Sequence, residues 1–324
     1  MNKNNLNKYF VRIVLGIAVC FTSVTIIACQ DDIEGSVVTD SGYSMWDTTE
    51  IGKYIDSVFT KPYNIRVIYR WNDGYQDYSK YLVPVKEEKV KPFLEMLKRV
   101  WMDPYVEVTT NGGNPNFFPT YVPKEILVTG SRAINSDGTV TLGFAENARQ
   151  ILLYNVNNLT PKDTSDFVMF IHTMHHEFAH ILQQTNKDYD GEYRAISKGG
   201  YTSSWMNISN KAARELGFIT AYSQAEVDED FVEILATRLI NSDRGWKYLL
   251  NTIQNDDARR KIEKKESIVR NYMLSVWSID IYQFRDMVHE AIRAEMGFVG
   301  DDDFVFDGNE VIANIINNEI VAAK

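Results

Sequence analysis

The stretch Phe167–Gln184 reads FVMFIHTMHHEFAHILQQ, and the fold is organised around it. Inside it lies His176-Glu177-Phe178-Ala179-His180, an H-E-x-x-H pattern. On an α-helix each residue turns about 100°, so side chains four apart point roughly 40° from one another, one turn along. His176 and His180 therefore project together and can grip one metal ion. Glu177 is one step round the helix, placed to take a proton from water without binding the metal. The helix is expected independently of that pattern. Asp163, Thr164 and Ser165 follow Pro161 and offer N-caps. Phe167, Phe170, Ile171, Met174, Phe178, Ile181 and Leu182 recur at three- and four-residue spacing, which gives a broad apolar face beside the histidines. His172, one turn before His176, is a candidate supporting group for the metal ligands. His175 points elsewhere and reads as structural.

Composition narrows the function classes. The 324 residues are 44% hydrophobic, enough to bury a sizeable core. A net charge of −10 argues against nucleic acid as the partner. The only cysteines are Cys20 and Cys29, so the remaining chain has neither a disulfide nor a thiolate ligand. Four of the five histidines fall in the one stretch quoted above, which favours a metal site.

The N-terminus reads as an address. Lys3, Lys8 and Arg12 accompany an apolar run from Val11 to Ala28, the pattern of a signal peptide over residues 1–28. The segment Ile26-Ile27-Ala28-Cys29 resembles a bacterial lipobox, which implies cleavage before Cys29 and lipidation of that residue. Residues 29–46 read as a polar tether. Gln30-Asp31-Asp32-Ile33-Glu34 looks like the acidic export tag of lipoproteins on the outer face of Bacteroidetes-type cells. The resemblance implies an outer-membrane lipoprotein exposed at the cell surface.

Residues 47–324 are expected to form one catalytic domain of α+β type. An α/β lobe with a twisted sheet spans 47–185, a mainly helical lobe spans 186–324, and a cleft lies between them. In the first lobe, helices are expected at 48–59 and 85–101. Strands are expected at 64–71, 105–109, 125–129, 139–144 and 150–156. Residues 189–204 read as an irregular loop. Helices are expected at 210–216 (stopped by Gly217), 229–240, 245–253, 258–275, 282–296 and 310–323. Asp301-Asp302-Asp303 reads as a solvated acidic turn.

Two histidines do not hold a catalytic zinc; a third protein ligand is needed. No histidine lies nearby downstream, so the ligand is expected to be a carboxylate on a following helix. In Glu226-Val227-Asp228-Glu229-Asp230-Phe231-Val232-Glu233, Glu229 and Glu233 sit one turn apart on one face. The reading takes Glu229 as ligand and Glu233 as a support that hydrogen-bonds His176 or His180 and sets its tautomer. Glu226 with Asp230 offers the same spacing and is the rival pair.

These residues resemble the zinc metallopeptidase lipoproteins of Bacteroidetes found beside glycan- and peptide-import systems. The matching segments are His176–Gln184, Tyr201 with Trp205, Gly217-Phe218 with Tyr222, and Glu229–Glu233. Gln183 and Val232 depart from the commonest residues of that pattern, neither of them in the expected chemistry. The lobe–helix–lobe order is that of zincin metallopeptidases, so the resemblance implies a zincin-like fold. The helix is similar also to that of lethal-factor-type peptidases, which carry an active-site tyrosine seven residues before the ligand glutamate. Tyr222 stands seven before Glu229, which implies an oxyanion-binding role for Tyr222. The implied activity is hydrolysis of peptide bonds. The resemblance implies one catalytic Zn2+ held by His176, His180 and Glu229, with Glu177 as general base. The expected substrates are peptides, proteins or glycopeptides, with the lipid at Cys29 as membrane anchor and an import complex as partner. The alternative reading is a catalytically silent binding lipoprotein of such a complex, which has no need of Glu177.

Overall fold

The computed structural model describes residues 47–71, 80–134, 140–141, 143–146 and 150–323, and Thr48–Lys324 form one compact unit. The expected signal peptide, the tether and Cys29 lie outside the described residues. The chain opens with helix α1 (Glu50–Ile55), followed by strand β1 (Arg66–Ile68). Helices α2 (Glu87–Leu97), α3 (Asp103–Asn111) and α4 (Phe117–Tyr121) lead to strand β2 (Glu125–Val128). Four short strands follow: β3 (Ala133–Ile134), β4 (Val140–Thr141), β5 (Gly143–Glu146) and β6 (Gln150–Leu153). Strands β1, β2 and β6 pair in parallel, and β5 closes the sheet antiparallel to β6, in the order β1-β2-β6-β5. A parallel neighbour requires a crossover, and α2 to α4 supply the one between β1 and β2.

Next comes the central helix α5 (Thr164–Thr185), carrying the H-E-x-x-H pattern. Then follow α6 (Asp190–Ile196), α7 (Asn210–Arg214), α8 (Val227–Ile240), α9 (Asp243–Asn251), α10 (Asp256–Trp277) and α11 (Ile281–Met296). A three-stranded antiparallel sheet ends the chain: β7 (Asp303–Phe306), β8 (Val311–Ile316) and β9 (Glu319–Ala322). Helix α5 packs along α8 and beside β5. Its apolar face meets Trp101, Tyr105, Phe117 and Phe118, whose rings cluster around Phe178. From Asp230 to Ile240 every residue of α8 is buried, so that part of the helix, Glu233 included, is held within the core.

Several elements differ from the sequence expectation. Residues 105–109 are helical and not a strand. Their β-branched residues favour strand, but the helical backbone runs on from α2 through a π-helical turn at Lys98–Met102, directly before α3, and Tyr105, Val108 and Thr109 are buried at helical spacing. Residues 310–323 form a hairpin and not a closing helix. The isoleucines recur at three and four, yet Asn317 and Asn318 adopt φ of 49° and 66°, the left-handed pair of a two-residue hairpin turn. The part after Gln184 is therefore not purely helical. The loop at 189–204 contains α6. Asp303 is buried rather than solvated: its carboxylate, held near pKa 2 despite burial, accepts from His289 Nε2 at 2.7 Å and Ser242 Oγ at 2.5 Å. Among the described residues no helix is long and apolar enough to cross a membrane.

Candidate metal centre

Helices α5 and α8 cross so that three donor atoms converge: His176 Nε2, His180 Nε2 and Glu229 Oε2. The two nitrogens lie 3.1 Å apart, and each is 3.2 Å from the carboxylate oxygen. Donors about 2.0–2.2 Å from a shared ion in a tetrahedral array stand roughly 3.3–3.5 Å from one another. The spacing therefore suits one ion, and the nitrogen–carboxylate donor set suits zinc.

Each imidazole is oriented through its other nitrogen. His176 Nδ1 donates to Glu233 Oε1 at 2.8 Å, and His180 Nδ1 donates to Gln183 Oε1 at 3.2 Å. Both Nε2 lone pairs are thereby turned toward the common point. Glu233 accepts a second bond from Thr220 Oγ1 at 2.6 Å, and His172 lies 3.7 Å from the same carboxylate. Gln183 Nε2 donates to the Asp228 carbonyl at 3.1 Å, tying the end of α5 to the start of α8. Gln183 thus belongs to the site's chemistry, contrary to the expectation from sequence. The spacing was the available signal, since position i+3 from His180 shares its face. Thr220 carried no such signal, because it lies in an irregular segment.

Electrostatics are dominated by the convergence. Burial disfavours the His176 cation, but hydrogen bonds to Glu229 and Glu233 outweigh it and lift its pKa to about 10 with no metal present. Burial pushes the Glu229 carboxyl up, yet bonds to His176 and His180 hold it well below the ordinary range. Glu233 is likewise held low against its own burial by His172, His176 and Thr220. His172 is driven down to about 4, chiefly by burial, so it is a neutral neighbour, 3.3 Å from Thr237 Oγ1. His175 is buried against Tyr105 and Phe284, a structural place.

Glu177 lines the same cleft, about 260 Å³ in volume, together with His176, His180, Tyr222, Glu226 and Glu229. The Tyr222 ring sits 5.8 Å from His176 and 4.8 Å from Trp205, on the lining of the cleft that also holds Glu229. Burial and the neighbouring carboxylates raise its pKa, so the phenol keeps its proton and can donate it in a hydrogen bond. The rival pair is separated. Glu226 is exposed at the cleft, whereas Asp230 is wholly buried against Lys265 at 2.6 Å.

Fold and site together define a mixed α/β protein of helices and small sheets with a His-His-Glu cluster whose donors could hold a metal ion. A family model described as "Putative zinc-binding metallo-peptidase" matches residues 44–282, and the chain belongs to that family. A crystal structure titled as a putative zinc-binding metallo-peptidase from Bacteroides caccae is similar at 29% identity and a TM-score of 0.65. The match covers 79% of this chain and 98% of that one. No curated protein matches the chain.

Proposed function

We propose that the protein is a zinc-dependent peptidase whose single catalytic ion is held by His176, His180 and Glu229. The observation that carries the reading is the convergence of those three donors beside Glu177 in one open cleft. A zinc ion there supplies Lewis acidity for water and for the substrate carbonyl. Glu177 accepts the proton of the attacking water and delivers it to the leaving amine. Tyr222 donates its O–H to the oxyanion that develops on the carbonyl oxygen. Glu233 and Gln183 hold the two imidazoles in the ligating tautomer. Among the described residues strand β5 ends its sheet and packs beside α5, which suits it to pair with an extended substrate backbone. The two-helix site, with β5 packed beside α5, supports reading the fold as zincin-like.

The chain acts, on this reading, as a surface lipoprotein anchored through Cys29 and serving an outer-membrane import complex with peptides, proteins or glycopeptides as substrates. Cys29→Ser should abolish metabolic labelling by palmitate; undiminished labelling would remove the anchor. Metal content tests the ligand set: His180→Ala and Glu229→Ala should each lose zinc on dialysis, and zinc retained by both variants would refute the assignment.

A further inference from the structure

The turn Asp307–Glu310 between β7 and β8 lies beyond the stretch matched by the family model, yet it reaches the back of the metal centre. Gly308 sits in it with φ of 96°. A Cβ at that position would stand 2.2 Å from Thr220 Cγ2 and 3.7 Å from Glu233 Oε2. Thr220 is itself buried, and its Oγ1 donates to Glu233 Oε2 at 2.6 Å with Ser223 Oγ 3.1 Å away. The other oxygen of Glu233 accepts from His176 Nδ1 at 2.8 Å. A continuous chain of contacts therefore runs from Gly308 through Thr220 and Glu233 to a metal ligand. The turn is held in place. Asn210 Nδ2 donates to the Asp307 carbonyl at 3.2 Å, and Asn210 Oδ1 accepts from the Ala221 amide at 2.8 Å. The Asn241 side chain donates through Nδ2 to the Phe306 carbonyl at 2.7 Å and accepts at Oδ1 from the Phe306 amide at 2.9 Å.

We infer that Gly308 and Thr220 are positioning residues for the zinc centre: the turn holds Thr220 in the rotamer whose hydroxyl fixes Glu233, and through it His176. The inference rests on the reading of His176 as a zinc ligand. Threonine has three staggered χ1 states, about 120° apart. In the observed one, Cγ2 fills the space that a side chain at 308 would take, and Oγ1 faces Glu233. Any Cβ at 308 evicts Cγ2. In a buried site the escape is a rotamer step, which carries Oγ1 away from the carboxylate. The left-handed backbone favours glycine at the same position for a separate reason.

The test is the zinc dissociation constant of the purified chain, read by chelator competition. Gly308→Ala should weaken zinc roughly 10- to 100-fold, the usual effect of losing a group that orients a ligand. Thr220→Val keeps the methyl against the turn and removes the donor, and should weaken zinc to a similar degree. Thr220→Ser removes the methyl and keeps the donor, so Thr220→Ser/Gly308→Ala should bind zinc nearly as tightly as Thr220→Ser alone. Wild-type affinity in Gly308→Ala, wild-type affinity in Thr220→Val, or no restoration in the double variant would each overturn the inference. If Gly308→Ala does not fold, Thr220→Val decides. A wild-type chain that binds no zinc overturns the metal reading itself, an outcome distinct from the others.

Discussion

Replacing Lys265 by methionine would remove the cation from a wholly buried ion pair next to the metal centre. Lys265 Nζ lies 2.6 Å from Asp230 Oδ2, donates to the Gly217 carbonyl at 2.8 Å, and stands 4.1 Å from the Phe218 ring centroid. Asp230 follows the proposed ligand Glu229, and Tyr201 O–H also donates to it at 3.0 Å. Methionine fits the apolar part of the site, but Asp230 is left buried with only a tyrosine donor. Breaking a buried pair in this way costs about 3–5 kcal/mol. For a domain of this size that corresponds to a Tm fall of about 6–20 °C. The loss depends on pH. Burial raises the folded-state pKa of Asp230 to about 6 even with Lys265 present, above its ordinary value of 3.8. A group raised in the folded state contributes stability that is present below the unfolded pKa and lost as pH rises through the folded one. Without Lys265 the folded pKa moves higher still, so the loss at pH 8 should exceed that at pH 5. Urea unfolding followed by tryptophan fluorescence, with chelator present, measures this without zinc linkage. Asp230→Asn/Lys265→Met should recover much of the loss, because it removes both charges. A cost below about 1 kcal/mol at pH 8, or a double variant no more stable than the single, would refute the reasoning.

Two further outcomes follow from the site. Tyr222→Phe should retain zinc while kcat falls by about 10²–10³, the usual effect of one oxyanion donor; kcat close to wild type would remove Tyr222 from the chemistry. In the metal-free protein His176 keeps a proton up to about pH 10, and zinc must displace it. Zinc affinity should therefore rise with pH by up to about tenfold per unit and level off above about pH 10. Titration by chelator competition between pH 7 and 9 checks this, and a flat profile would contradict it.

Much of the site could be read from local periodicity. The H-E-x-x-H spacing sets His176, Glu177 and His180 together, whereas helical spacing alone left Glu229 with Glu233 and Glu226 with Asp230 as rivals, which only the packing of Asp230 against Lys265 separates. Thr220 and Gly308 could not be read this way. They lie in irregular segments about ninety residues apart in sequence, brought together only by tertiary packing. The C-terminal hairpin was hidden for a related reason. Val311–Ile316 carries isoleucines compatible with either period, and Asn317-Asn318 decides between them only once its left-handed turn is recognised. At 105–109 strand propensity was overridden by burial at helical spacing and by the helix already running through Lys98–Met102.

The central claim is that Glu177 works as a general base beside a zinc held by His176, His180 and Glu229. Zinc content and peptide-library cleavage, measured side by side on wild type and Glu177→Gln, test it most directly. The account predicts one zinc per chain in both proteins and cleavage in wild type alone. Cleavage at the wild-type rate by Glu177→Gln, or a wild-type protein without zinc, would contradict it.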